Sequence, residues 1–179
     1  SIDIPESVTN IGANAFSGCS SLEPKLLVYD KGTKCYGWLG DEKKCTNVVI
    51  PEGVTSIGAG AFSGCSGLTN IDIPKGVTSI GEEAFSGCIS LTSIKIPKGV
   101  TSIGASAFGE CNNLGPKLLV YDKGTKCYGW VGNKVKCTNI VIPEGVTSIG
   151  YKAFYKYYWL TSIKIPKSVT SIGASAFRQ

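Results

Sequence analysis

From Leu91 to Asn113 the chain reads L-T-S-I-K-I-P-K-G-V-T-S-I-G-A-S-A-F-G-E-C-N-N, and this 23-residue unit decides the architecture. Its landmarks recur. The prolines of the I-P dipeptide stand at Pro5, Pro51, Pro74, Pro97, Pro143 and Pro166, every gap being 23 or 46 residues. A second column, Leu22, Cys45, Leu68, Leu91, Leu114, Cys137 and Leu160, advances by 23 at each step. Self-similarity of this period is the mark of a solenoid, in which one supersecondary unit stacks on the next. Within the unit, Leu91, Ile94 and Ile96 follow L-x-x-I-x-I, whose last part alternates inward and outward as a strand does. Pro97 removes a backbone donor and ends the strand, and Gly99 serves a turn. Val100 to Ile103 predicts a short second strand on another side of the coil, and Ala107-Phe108 drop into the core before a loop ends at Cys111. One coil cannot bury its own apolar face, so the coils must stack, about 4.8 Å apart, into a continuous core with a parallel sheet.

The motif I-x-I-P-x-x-V-T-S-I-G-x-x-A-F-x-x-C, at 71–88 and 94–111, resembles the BspA-type, or Treponema-type, leucine-rich repeats of bacterial and protozoan surface proteins. The resemblance covers essentially the whole chain. It implies a leucine-rich-repeat solenoid, with its parallel β-sheet on the concave face and short second strands and turns on the other sides. It also implies an extracellular or cell-surface location and adhesion or recognition of a protein partner, and it carries over no catalytic residue.

Two units depart from the pattern, 22–44 and 114–136. Both hold P-K-L-L-V-Y-D-K-G-T-K-C-Y-G-W, at 24–38 and 116–130, and both lose the I-P and A-F markers. These departures lie 92 residues apart, and residues 1–87 match 93–179 at most positions. The expectation is a single solenoid over 1–179, built as two tandem four-coil blocks, 1–92 and 93–179. Ser1 opens within a repeat, as in a mature product or a piece of a longer array.

The chain has 179 residues and a net charge of +5, but residues 1–92 sum to −4 and 93–179 to +9. The lysines are dispersed and Arg178 is the sole arginine, which argues against nucleic acid. No apolar run approaches the roughly 18 residues of a membrane span, so membrane insertion is not expected. Histidine is absent, which removes Ser-His-Asp chemistry and histidine-containing zinc sites. No C-x-x-C and no phosphate-binding glycine loop occurs, and the expectation is a protein that is not an enzyme and has no cofactor.

Three features are candidates for function. The residue between the two inward isoleucines should point outward, giving the row Asp3, Val49, Asp72, Lys95, Val141 and Lys164. Within it Asp72, Lys95 and Lys164 are candidate partner contacts, against the simpler reading of a solvated face. The stretch Tyr151 to Trp159 has no counterpart in the first block, where 59–67 reads A-G-A-F-S-G-C-S-G. Tyr151, Tyr155, Tyr158 and Trp159 are therefore candidate anchors, since aromatics bring large area at low entropic cost. The competing reading has the aromatics filling space left by the missing cysteine at 157. Cys19, Cys65, Cys88 and Cys111 share one repeat position and read as buried thiols, while Cys35 with Cys45, and Cys127 with Cys137, stand open between core thiols and intracoil disulfides. The partner class is a host or matrix protein or a second copy of this chain. The alternative function is a self-assembling structural element that associates through uncapped coils and opposite charge.

Overall fold

The computed structural model describes residues 1–179. Two ladders of short strands run along the rod. On the I-x-I side, β3 (Asn47–Val49) pairs in parallel with β5 (Asn70–Asp72), and β10 (Asn139–Val141) with β12 (Ser162–Lys164), each register being one 23-residue repeat. The second ladder is made of Ser-Ile pairs: β4 (Ser56–Ile57), β6 (Ser79–Ile80), β7 (Ser102–Ile103), β11 (Ser148–Ile149) and β13 (Ser171–Ile172). It is the longer of the two, and on both sides the threonine before the strand ties successive coils together, as Thr69 does to the Thr46 carbonyl on the I-x-I side. Thr78 donates both its N–H, at 2.8 Å, and its hydroxyl, at 3.2 Å, to the Thr55 carbonyl, and Thr101 repeats this onto Thr78. The I-x-I side forms two separate two-stranded pieces, with no strand over 91–97.

The core is a stack of like residues. Phe62, Phe85 and Phe108 lie nearly parallel with ring centroids 5.4 and 5.3 Å apart, the offset contact that aromatic rings favour. Leu68 and Leu91, Val54, Val77 and Val100, and Ile57 and Ile80 line up in the same way, all buried. One apolar cluster runs from Cys35 to Val131 and a second from Cys127 to Ala176. No helix is long and apolar enough to cross a membrane.

The two irregular units are antiparallel hairpins, an arrangement the period alone did not predict. β1 (Lys25–Tyr29) pairs with β2 (Lys34–Leu39), and β8 (Lys117–Tyr121) with β9 (Lys126–Val131). Each turn passes through a run of positive φ, at Asp30, Lys31 and Gly32 and again at Asp122, Lys123 and Gly124. Thr33 closes the first turn onto the Asp30 carbonyl, and Lys34 pairs with the Asp30 carboxylate at 3.0 Å. The bulge after Leu27 leaves Tyr36 as an extra residue, and Gly37, at φ 108°, brings the backbone against Ala61. Leu39 and Val131 then occupy the core position held elsewhere by phenylalanine, one residue beyond Trp38 and Trp130.

These hairpins interrupt the Ser-Ile ladder, although the apolar core continues into the second of them. The sheet order is β1-β2-β4-β6-β7 in the first stretch and β13-β11-β9-β8 in the second, so the outer hairpin arm takes the edge that a preceding Ser-Ile strand would need. β7 and β9 accordingly do not pair. Tyr128 instead donates its hydroxyl to the Thr101 carbonyl at 2.6 Å, as Tyr36 does to Thr9 at 2.9 Å. Across the junction of 91–113 with 114–136, the backbone hydrogen bonds are the local turn from Leu114 N–H to the Cys111 carbonyl and one from Gly115 N–H to the Thr92 carbonyl, a repeat away.

Candidate functional site

The coil turns the middle residue of every I-x-I outward, on strands at Val49, Asp72, Val141 and Lys164 and outside any strand at Asp3 and Lys95. Asp3, Val49, Asp72, Lys95, Val141 and Lys164 are all exposed, flanked by inward residues such as Ile71 and Ile73. Val49 and Val141 leave 69% and 66% of their surface in solvent. Three successive coils shape this side into a groove of about 730 Å³, bordered by Pro51, Pro74 and Pro97. Asp72 and Lys95 line it together, whereas Lys164 lies three repeats further along the rod. The groove also contains a second charged row, Glu52, Lys75 and Lys98, at the position after the proline. The sequence reading did not single out this row, although its 23-residue spacing was there to be read.

The aromatic stretch divides by side. Tyr157 is buried, 7% exposed, in the position that holds cysteine in the coils ending at Cys65, Cys88 and Cys111. Its ring meets Phe154 edge-on at 5.8 Å, and its hydroxyl donates to the Trp130 carbonyl at 2.8 Å. Burial pushes this phenol well above its ordinary pKa. Tyr157 therefore fills the place of the missing cysteine. Tyr151, Tyr158 and Trp159 do not: they leave 52%, 61% and 56% of their surface in solvent, and Tyr155 is half-buried. The Lys152 ammonium lies 4.9 Å from the Tyr151 ring centroid and 5.5 Å from that of Tyr155, which Lys156 approaches to 5.3 Å. Val135, one repeat before Tyr158 and 54% exposed, adds an apolar neighbour to this column.

The cysteine column is internal. All eight cysteines are free thiols, and every one but Cys19 is buried. Cys88 donates to the Phe62 carbonyl at 3.2 Å and Cys111 to that of Phe85 at 2.9 Å, so the thiols tie each coil to an earlier one. Desolvation pushes Cys35 up to about 12 and Cys127 and Cys137 up to about 11. Cys88 is driven upward by the Cys111 thiol beside it together with burial. Such thiols are inert as nucleophiles near neutrality.

Comparison with known proteins follows the same division. The sequence profile of the BspA type leucine rich repeat region matches six copies, over residues 40–117 and 130–179, well over half of the chain. The gap at 118–129 falls on the second hairpin, and the unmatched 1–39 contains the first. No curated protein matches the chain. Among solved structures, a leucine rich cell surface protein from Faecalibacterium prausnitzii is similar over 97% of this chain and 56% of its own, at 30% identity and a TM-score of 0.52. A leucine-rich repeat protein from Bacteroides ovatus is similar over 84% of this chain and 46% of its own, at 27% identity and a TM-score of 0.51. This chain thus spans about half the length of each.

Proposed function

Because the chain belongs to the BspA-type leucine-rich repeat family, we propose that it is a recognition and adhesion module of a secreted or cell-surface protein, binding a protein partner and catalysing no reaction. The observation that carries this reading is the exposed group Tyr151, Tyr158 and Trp159, on a rigid β-scaffold where the matching coil of the first half has Ala59, Ser66 and Gly67. Large aromatic surface left in water has no folding benefit, while rigid aromatics are the residues that interfaces use as anchors. Tyr155, with the lysines around it, extends the patch. Asp72, Lys95 and Lys164 form a second exposed surface on the I-x-I side. The cell-surface description of the Faecalibacterium relative supports the proposed location.

The test is a double substitution, Tyr158→Ser with Trp159→Ser, read by thermal denaturation and by binding to a panel of immobilised extracellular-matrix and host-surface proteins. The expected result is binding weakened about 30-fold or more, the scale of a lost hot spot, with the melting temperature nearly unchanged. A large fall in melting temperature with unchanged binding assigns the pair to packing and refutes the proposal.

A further inference from the structure

The two halves of the chain differ by charge reversal at matched exposed positions. Asp3, Glu6 and Asp72 in the first half correspond, 92 residues on, to Lys95, Lys98 and Lys164, and all six side chains are exposed on the I-x-I side. The change runs in one direction each time, from acid to base. The spacing within the row has a further property. Asp72 and Lys95 are adjacent, one repeat apart; Asp3 lies 69 residues before Asp72, and Lys164 lies 69 residues after Lys95. The row is therefore antisymmetric in charge about a point midway between Asp72 and Lys95.

We infer that this face binds a second copy of the same chain, as an antiparallel two-fold pair centred between Asp72 and Lys95. A two-fold axis there, running along the strand direction, reverses the rod while keeping each position along the strand. It sets Asp72 against the partner copy's Lys95, Asp3 against its Lys164, and Glu6 against its Lys167, each contact occurring twice. The layers of contact are three repeats apart, about 14 Å at the strand spacing. A parallel pair would instead oppose each of these charges to itself, which like-charge repulsion disfavours. The antiparallel pair leaves one like-charge meeting near its centre, Lys75 with the partner copy's Lys98, beside the Asp72 carboxylates. The groove lined by Asp72, Lys75, Lys95 and Lys98 lies at the axis and is covered by the pairing. Closed two-fold contact stops at two copies, unlike head-to-tail association, which continues.

Sedimentation velocity on the full chain tests this. At about 0.01 M salt, where the Debye length is about 30 Å, the expected species is a dimer; at 0.15 M and above, where it is about 8 Å or less, monomer should dominate. Asp3→Lys with Asp72→Lys makes the row basic, and Lys95→Asp with Lys164→Asp makes it acidic; each variant alone should be monomeric at low salt. An equimolar mixture of the two should restore the dimer, as should the chain carrying all four changes. Lys75→Glu should tighten the wild-type dimer. Circular dichroism checks that each exposed substitution leaves the fold intact. A wild-type monomer at low salt, a mixture that fails to associate, or mass growth beyond two copies overturns the inference. Tyr158 and Trp159 are not in this row, so their substitution should leave the dimer unaffected while testing partner binding separately.

Discussion

Phe85→Ala removes the middle ring of the Phe62–Phe85–Phe108 stack and is the sharpest probe of how far one coil supports another. The side chain is completely buried, so truncation loses the ring's transfer free energy and leaves a cavity that neighbouring rings cannot fill without leaving their own register. Such truncations cost about 3–5 kcal/mol. The hydrogen bonds made by the Phe85 backbone, its N–H to the Ala107 carbonyl and its carbonyl accepting from the Cys111 thiol, do not involve the ring and should persist. In a solenoid each coil couples chiefly to its neighbours, so the loss should concentrate between residues 54 and 113. A local cost of about 4 kcal/mol corresponds to amide exchange there roughly a thousand times faster. Beyond 114 the effect should fall off, because the second hairpin takes the ladder edge and, apart from the local turn at Cys111–Leu114, a single backbone bond crosses that junction. Hydrogen exchange resolved by peptide measures this directly. Uniform loss of protection from 1 to 179 would refute the argument, as would an equilibrium cost below about 1 kcal/mol in urea.

Gly37→Ala and Gly129→Ala should each destabilise by more than about 3 kcal/mol, since a Cβ on either would run into the facing carbonyl of Ala61 or Ala153 at a positive φ; melting curves close to wild type would contradict the bulge geometry. Trp38→Phe should cost about 1 kcal/mol by losing the indole bond to the Asp41 carbonyl, whereas Trp130→Phe should be close to neutral in that respect, because its buried indole N–H has no partner; urea midpoints of the two variants distinguish them. Thiol titration at pH 8 should label Cys19 well ahead of the seven buried cysteines, and equal rates would place those thiols at the surface. The raised thiols also set a pH dependence. A group whose pKa is higher folded than unfolded stabilises fully below its unfolded value, about 8.5, and that stability is lost as pH climbs toward the folded values. Stability should therefore fall between about pH 8.5 and the 11 to 12 reached by Cys127, Cys137 and Cys35, and a flat profile there would contradict their burial.

The period of the sequence was sufficient to place the regular coils, except that the strand it predicts over Leu91–Ile96 does not form. Ile and Val at fixed positions, Phe before Cys, and the outward residue of I-x-I all stand in the structure where 23-residue spacing puts them, because stacked coils repeat one hydrogen-bonding and packing environment. The exposure of Asp72, Lys95 and Lys164 was legible for the same reason, as was that of Tyr158 and Trp159, which replace small residues outside the core positions. Translational symmetry also marks the limit of such reasoning. Residues 24–38 and 116–130 read only as units that had lost their markers; that they fold back as antiparallel hairpins depends on Gly32 and Gly124 in turns of positive φ and on bulges that bring Gly37 and Gly129 against another coil. The break between β7 and β9 depends on which strand claims a shared edge, a competition between segments that no single repeat encodes. The division of the aromatics was likewise settled in three dimensions. Tyr157 turned inward because the absence of cysteine left room beside Phe154 and a carbonyl at Trp130 within reach of its hydroxyl, while its neighbours, with no such space to enter, remained in solvent.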